Sequence, residues 1–277
     1  MSLQTALRKY FLPVMVLAAL TACSSAGQNK PEIKSASVED LYNRASKAME
    51  NENYKDATKY FDEVERQHPY SDWSMRAQLM AAYASYLDQR YDEAVTALDR
   101  YIQLHPGAED VDYAYYLKAM CYYEQISDVR RDQDMTVKAV QALNALIGRF
   151  PDSKYARDAE LKRDLTLDHL AGKEMEIGRY YLNRGQVNAA INRFRTVIMN
   201  FQTTSHVPEA LHRLVEAYMT LGLQDEAYKV AAVLGYNYPG SKWYERSYKL
   251  LDPKQRKKLE DERGLVARTL DSLLKPD

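Results

Sequence analysis

Small and bulky apolar residues recur along this chain in a fixed order that ends in proline. Ala57, Ala94, Ala139 and Ala227 each stand twelve residues ahead of Pro69, Pro106, Pro151 and Pro239. Four residues after each alanine comes Phe61, Leu98, Leu143 or Ala231, and seven after it Val64, Tyr101, Leu146 or Leu234. Offsets of four and seven place these side chains on one face of a helix. Proline then stops the helix, because it lacks the amide that would continue the ladder. A fifth copy, Ala190, Phe194 and Val197, has Gln202 where the proline is expected. A second amphipathic run precedes each copy and puts Ala45, Ala82, Ala119, Gly178 or Val215 where two helices would cross. Ala119 reaches that position only if eight residues are inserted, and the charged stretch Ile126 to Gln133 is the place for them. The pattern predicts helix pairs over 38–247, in units of about 38–71, 75–108, 112–153, 171–204 and 208–241. No run alternates long enough to require a strand.

The segments between pairs share a second signature. Pro69-Tyr70-Ser71-Asp72-Trp73, Pro151-Asp152-Ser153-Lys154-Tyr155 and Pro239-Gly240-Ser241-Lys242-Trp243 all read P-x-S-x-aromatic. The serine is suited to cap the helix that follows. Ser37, with Asp40 three residues on, gives a weaker version before the first unit. Ser153 to Leu170 is expected to form an extra-long helix with Leu161, Leu165 and Leu167 supplying apolar contacts. A last helix is expected over 253–275. Its start is charged, and its end (Leu265, Val266, Leu270, Leu273, Leu274) is apolar enough to close the open face of a helical stack.

The A-x₃-F-x₂-V/L-x₄-P order resembles the second helix of a tetratricopeptide repeat. The fold expected is therefore all-α, a superhelical stack of about five such repeats with a C-terminal capping helix. The amino-terminal residues carry a different signal. Arg8 and Lys9 precede an apolar run that ends Leu20-Thr21-Ala22-Cys23-Ser24. A basic flank, a short apolar core and small residues before a cysteine match a bacterial lipoprotein signal. Residues 1–22 are expected to be removed, Cys23 to carry a diacylglycerol and an N-acyl chain, and polar residues 23–37 to form a flexible tether. With Cys23 acylated, Cys121 has no partner for a disulfide, and its aromatic surroundings suit a buried small hydrophobe.

Lys and Arg number 38 against 39 Asp and Glu, so there is no basic excess of the kind nucleic-acid binding requires. The five histidines fit no metal-binding or hydrolase motif, and no phosphate loop is present. No catalytic residue, metal site or cofactor is expected beyond the lipid. Two surfaces stand out instead. The first helices of the early units present Tyr42, Leu79, Tyr83, Tyr86, Tyr113, Tyr116 and Tyr123 toward the hollow of the stack. Tyrosine joins an apolar ring to a polar tip, which suits an extended peptide, and it equally suits packing between helices. In the fourth and fifth units Arg179, Arg184, Arg193, Arg195 and Arg213 are interleaved with glutamates, as a docking face for a partner or as an ordinary solvated face.

Taken together, the Leu-Thr-Ala-Cys23 box, the irregular repeats and the wording of several segments resemble the BamD family of outer-membrane assembly lipoproteins. Those segments are Tyr54-Lys55-Asp56-Ala57, Arg90-Tyr91-Asp92-Glu93-Ala94, Phe150-Pro151-Asp152-Ser153-Lys154-Tyr155-Ala156 and Tyr238-Pro239-Gly240-Ser241-Lys242-Trp243-Tyr244. The resemblance implies a lipid-anchored, non-enzymatic scaffold on the periplasmic face of a Gram-negative outer membrane, and Ser24 is similar to outer-membrane sorting residues. It implies partners: the periplasmic domains of a BamA-like barrel assembly protein on the last two units, and BamC-like and BamE-like lipoproteins. It also implies unfolded outer-membrane proteins, held by their C-terminal signals along the tyrosine-rich units. A periplasmic repeat lipoprotein serving cell-envelope or peptidoglycan machinery is the alternative the residues leave open.

Overall fold

The computed structural model describes residues 35–261, and within them the chain is a succession of α-helices without a strand. We number these α1 (Val38–Glu50), α2 (Tyr54–Gln67), α3 (Asp72–Leu87), α4 (Tyr91–Leu104), α5 (Val111–Tyr123) and α6 (Asp134–Arg149). There follow α7 (Ala156–Asn183), α8 (Val187–Asn200), α9 (Val207–Thr220), α10 (Gln224–Asn237) and α11 (Lys242–Leu250). Residues 253–261 are helical as well. Each helix packs on the next, and alternate contacts such as α1 with α3 and α9 with α11 turn the series into a stack. Cys23 and most of the tether lie outside the described residues, as do residues 262–275 of the expected last helix.

The repeat order sets the core. The alanines, the residues four after them and the residues seven after them are fully buried in all five units. So are Ala45, Ala82, Ala119 and Val215 on the partner helices. Phe61 lies in a cluster with Leu41, Ala45, Ala57 and Val64, which Ala77, Ala81 and Ala84 of α3 complete. The other side of α3 gives Leu79 and Ala82 to the next cluster, with Ala94, Leu98 and Tyr101. Small residues on both faces let one helix sit between two neighbours at close range. In the fourth unit the crossing is tightest at Gly178, where a Cβ would overlap the ring of Phe194.

The turns are as regular as the cores. Three residues join the helices of a pair, and one adopts the left-handed conformation: Glu52 (φ 57°), Gln89 (φ 58°), Gly185 (φ 72°) and Gly222 (φ 74°). Between pairs, Pro69, Pro106, Pro151 and Pro239 each stand two residues past the last helical residue, and Gln202 occupies the same place after α8. Ser37, Ser71 and Ser241 accept hydrogen bonds from Asp40, Ser74 and Trp243 amides at the starts of α1, α3 and α11. Ser153 departs from this. It accepts from the Tyr155 amide (3.1 Å), while its hydroxyl donates to Asp112 (2.6 Å) and ties the turn back to α5.

The third unit carries the insertion, as residues 124–133 between α5 and α6. Its backbone rests on α7, where the Lys173 ammonium donates to the carbonyls of Arg130 (3.0 Å) and Arg131 (3.2 Å). The expected break near residue 170 is absent. α7 runs unbroken for 28 residues, so the extra-long helix and the first helix of the fourth unit are one element. Nothing between 156 and 183 obliges a stop: there is no proline, and the two glycines are packed within the helix, Gly178 against Phe194 of α8 and Gly172 against His206 and Val129 of the insertion. Leu161 (61% exposed) and Leu165 (62%) face solvent rather than the core, while Leu167 is half-buried.

Candidate functional site

The tyrosines of the second and third units form one continuous series of rings. Tyr86 lies against Tyr91 (5.9 Å between centroids) and stacks on Tyr83 (6.4 Å, 17°). Tyr83 meets Tyr113 edge-on (6.4 Å), Tyr113 meets Tyr155 (5.3 Å), and Tyr155 stacks on Tyr116 (4.9 Å, 18°). The hydroxyl of Tyr116 donates to Asp158 (2.7 Å), which also receives the Lys162 ammonium (2.7 Å). That ammonium lies 5.8 Å from the ring centre of Tyr123 and so joins the last tyrosine to the series. The rings come from α3, the start of α4, α5 and the turn into α7, and all are half-buried. Each thus keeps part of its side chain exposed to solvent.

Burial pushes the Tyr86 phenol up to about 12, and the Glu124 carboxylate adds to the effect. Burial likewise raises Tyr113 and Tyr116, with the hydrogen bond to Asp158 contributing at Tyr116. Those phenols stay protonated at any physiological pH; Tyr86 and Tyr113 offer hydrogen-bond donors beside apolar faces, while the Tyr116 hydrogen is taken by Asp158.

Two sequence candidates stand apart from this series. Tyr42 packs edge-on to Phe61 of its own unit (5.3 Å) and to Trp73 at the start of α3 (4.8 Å). Leu79 is only 6% exposed and belongs to the core beneath the rings. Tyr91 and Tyr155 join the series without having been singled out for it. Tyr155 was legible as the aromatic of its P-x-S-x-aromatic segment, but it leads α7 rather than lying in a first helix.

The arginines divide by what they touch. Arg179 bridges α7 to α9 through Glu209 (3.1 Å) and pairs with Glu176 (3.2 Å). Arg193 joins α8 to Glu174 of α7 (3.1 Å). Arg213 pairs with Glu216 (2.8 Å) and Glu209 (3.4 Å) and lies 5.7 Å from the Trp243 ring centre. Arg184 is exposed beside the Tyr180 ring (4.7 Å), and Arg195 is exposed on α8. Neither has a carboxylate in salt-bridge reach among the described residues, so these two have their charge free for another molecule.

Three of the five histidines are bonded into the fold. His68 reaches the Ala36 carbonyl (3.0 Å) and His105 the Gln78 amide oxygen (3.0 Å). His212 is hydrogen-bonded to Ser247 (2.8 Å) and lies 3.4 Å from Glu216. This Ser–His–Glu set is sealed: Ser247 is 0% and His212 3% exposed, so no substrate reaches the hydroxyl. Cys121 is buried, which pushes its thiol up to about 12 and leaves it unreactive. A cavity of about 370 Å³ lies where the insertion meets α7 and His206, lined by the Arg179–Glu176 pair (3.2 Å) and by His206 3.5 Å from Asp168.

The chain matches the family model described as YfiO, outer membrane lipoprotein, over residues 34–234. It is 51% identical over 241 residues to the outer membrane protein assembly factor BamD of Caulobacter vibrioides, covering 86% of this chain and 79% of that one. The chain belongs to this BamD family. The BamD of Rickettsia prowazekii is 50% identical over 216 residues (78% of this chain, 86% of that one), and that of Neisseria meningitidis serogroup A is 35% identical over 248 (85% and 93%). Among solved structures it is similar to the TPR2AB domain of yeast Sti1, at 11% identity and a TM-score of 0.42 over 85% of this chain and 88% of that one. No described helix of this BamD-family chain is long and apolar enough to cross a membrane.

Proposed function

We propose that this protein is a lipid-anchored scaffold subunit of the machinery that folds and inserts β-barrel proteins into the outer membrane. The observation that carries the reading is the identity of about half the residues, over most of the chain, with relatives named as outer membrane protein assembly factors. Cys23 is the lipidation site, and its acyl chains hold the stack at the periplasmic face. The tyrosine series from Tyr83 to Tyr123 is the binding wall for the extended C-terminal signals of unfolded barrels. Its partly exposed rings can receive apolar side chains, and the Tyr86 and Tyr113 phenols can donate to peptide carbonyls. The fourth and fifth units dock a BamA-like subunit, with Arg184 and Arg195 as the free charges and Arg179, Arg193 and Arg213 bracing the face they stand on. BamC-like and BamE-like lipoproteins complete the complex. The mechanism is non-covalent: confinement to a surface raises the effective concentration of scaffold and client.

Photoreactive residues placed at Tyr83, Tyr116 and Arg195 in cells test the reading. Adducts with unfolded barrel proteins are expected at the two tyrosines, and with a large barrel protein bearing periplasmic domains at Arg195. Adducts only with peptidoglycan-associated or division proteins would replace it with the cell-envelope alternative.

A further inference from the structure

The last end of the stack carries a basic surface that adjoins the arginine face at Trp243, whose ring centre lies 5.7 Å from Arg213. Residues 242–261 hold seven Lys and Arg against four Asp and Glu, in a chain whose charges otherwise nearly cancel. α11 buries Tyr244 and Ser247, and the corner after it buries Leu251. Its opposite face carries Lys242, Arg246 and Lys249, all exposed. Segment 253–261 buries Leu259 against Leu251 and α10, so Lys254, Lys257 and Lys258 point outward. Arg256 fastens the two stripes at the corner, donating to the carbonyls of Leu251 (2.8 Å) and Lys249 (2.7 Å).

The four acidic residues there leave the segment with three cations in excess. Asp252 accepts from the Gln255 backbone amide (2.8 Å) and Glu260 from the Tyr248 phenol (2.5 Å), while Glu245 and Asp261 are exposed. Among the described residues Lys242, Arg246, Lys249, Lys254 and Lys257 have no carboxylate in salt-bridge reach. The half-buried Trp243 is clasped between Lys242 and Arg246, each 5.0 Å from its ring centre, and Leu250 is exposed beside Lys249. An indole and a leucine set among cations with no carboxylate partner among the described residues suit an interface with headgroups on one side and acyl chains on the other.

We infer that this corner is a contact surface for anionic phospholipid headgroups, separate from the acyl anchor. Lysines spread over a convex corner act as point charges and suit a fluid anionic surface more than a shaped acidic ligand. The anchor proposed at Cys23 precedes α1, and this corner closes the opposite end of the helical series. A chain held at both ends lies along the membrane instead of hanging from it. The headgroup contact stands without the assembly reading; attachment at both ends rests on the anchor proposed at Cys23.

The test uses the mature chain carrying Cys23→Ser, which has no acyl chain, in flotation with phosphatidylcholine vesicles with or without about one-third phosphatidylglycerol. Binding at least about tenfold tighter to the anionic vesicles is expected, with loss of most of it near 0.5 M salt. The triple variant Lys249→Glu, Lys254→Glu, Lys257→Glu changes exposed side chains only. It should keep the circular dichroism and melting curve of its parent and lose about tenfold in vesicle affinity. Equal binding to both vesicles, or binding that the triple variant retains, would overturn the inference. So would capture of an acidic protein by this corner without vesicle binding, which would assign it to a protein partner.

Discussion

Gly178 shows how much one side chain decides in this stack. Its missing Cβ is the space into which the Phe194 ring packs. Gly178→Ala is therefore expected to destabilise the protein by roughly 1–3 kcal/mol, as overpacked cores do. Gly148→Ala, in a helix but with nothing within 4 Å, should be neutral or stabilising by up to about 1 kcal/mol. Urea unfolding of both variants checks the contrast. Glu216 is the second such residue. A hydrogen bond from His212, then one from Arg213, hold its carboxyl at about 2, below the usual 4.5. A folded-state value below the unfolded one adds stability that is complete above pH 4.5 and disappears as pH falls through about 2. Allowing for its partial exposure, Glu216→Gln should cost on the order of 1–2 kcal/mol at neutral pH, and stability measured between those two values should become less pH-dependent. The crossing position of Gly178 was legible from its spacing to Ala190. The bond between His212 and Ser247 was not, because it joins residues 35 apart on two helices and no local pattern records it.

At the scale of elements, most boundaries were written in the proline, alanine and serine spacing. Each of those residues acts locally: proline removes a donor, alanine admits a neighbour, serine caps. α7 escaped this reading for the same reason. Its continuity rests on the absence of a stop and on packing of its two halves against different neighbours, Tyr116 through Asp158 at one end and Phe194 against Gly178 at the other. Leu161 and Leu165 misled for a related cause: leucine spacing marks a helix face but cannot say whether a neighbour covers it. A break placed in the middle of α7 measures what the continuity is worth. Thr166→Pro removes an amide and clashes with the Lys162 carbonyl, at a cost of about 3 kcal/mol or more. Thermal unfolding should then separate into two transitions, one for each side of the helix, where the parent shows one. A single transition shifted downward would mean that contacts other than α7 hold the two sides together.

At the scale of the whole molecule, the core is a chain of local clusters, and substitutions in distant ones should act independently. Val64→Ala and Val197→Ala lie in separate clusters and are each expected to cost about 2 kcal/mol. The double variant should lose their sum to within about 0.5 kcal/mol in denaturant titrations. The stacked architecture was readable from repetition alone. The candidate surfaces were only half readable, since spacing nominated the tyrosines and arginines, while their sorting into packed, paired and free depended on neighbours from other units. One consequence of the unbroken α7 remains for the molecule in its assembly. Its 28 residues make a rod of about 42 Å. Asp158, which anchors one end of the ring series, and Arg179, which braces the arginine face, stand on that rod at a set distance and phase. One residue more or less between them would swing the second face by about 100° about the rod. The helix is thus a gauge: whatever two molecules this protein holds are presented to each other at a separation and angle fixed by a count of peptide units.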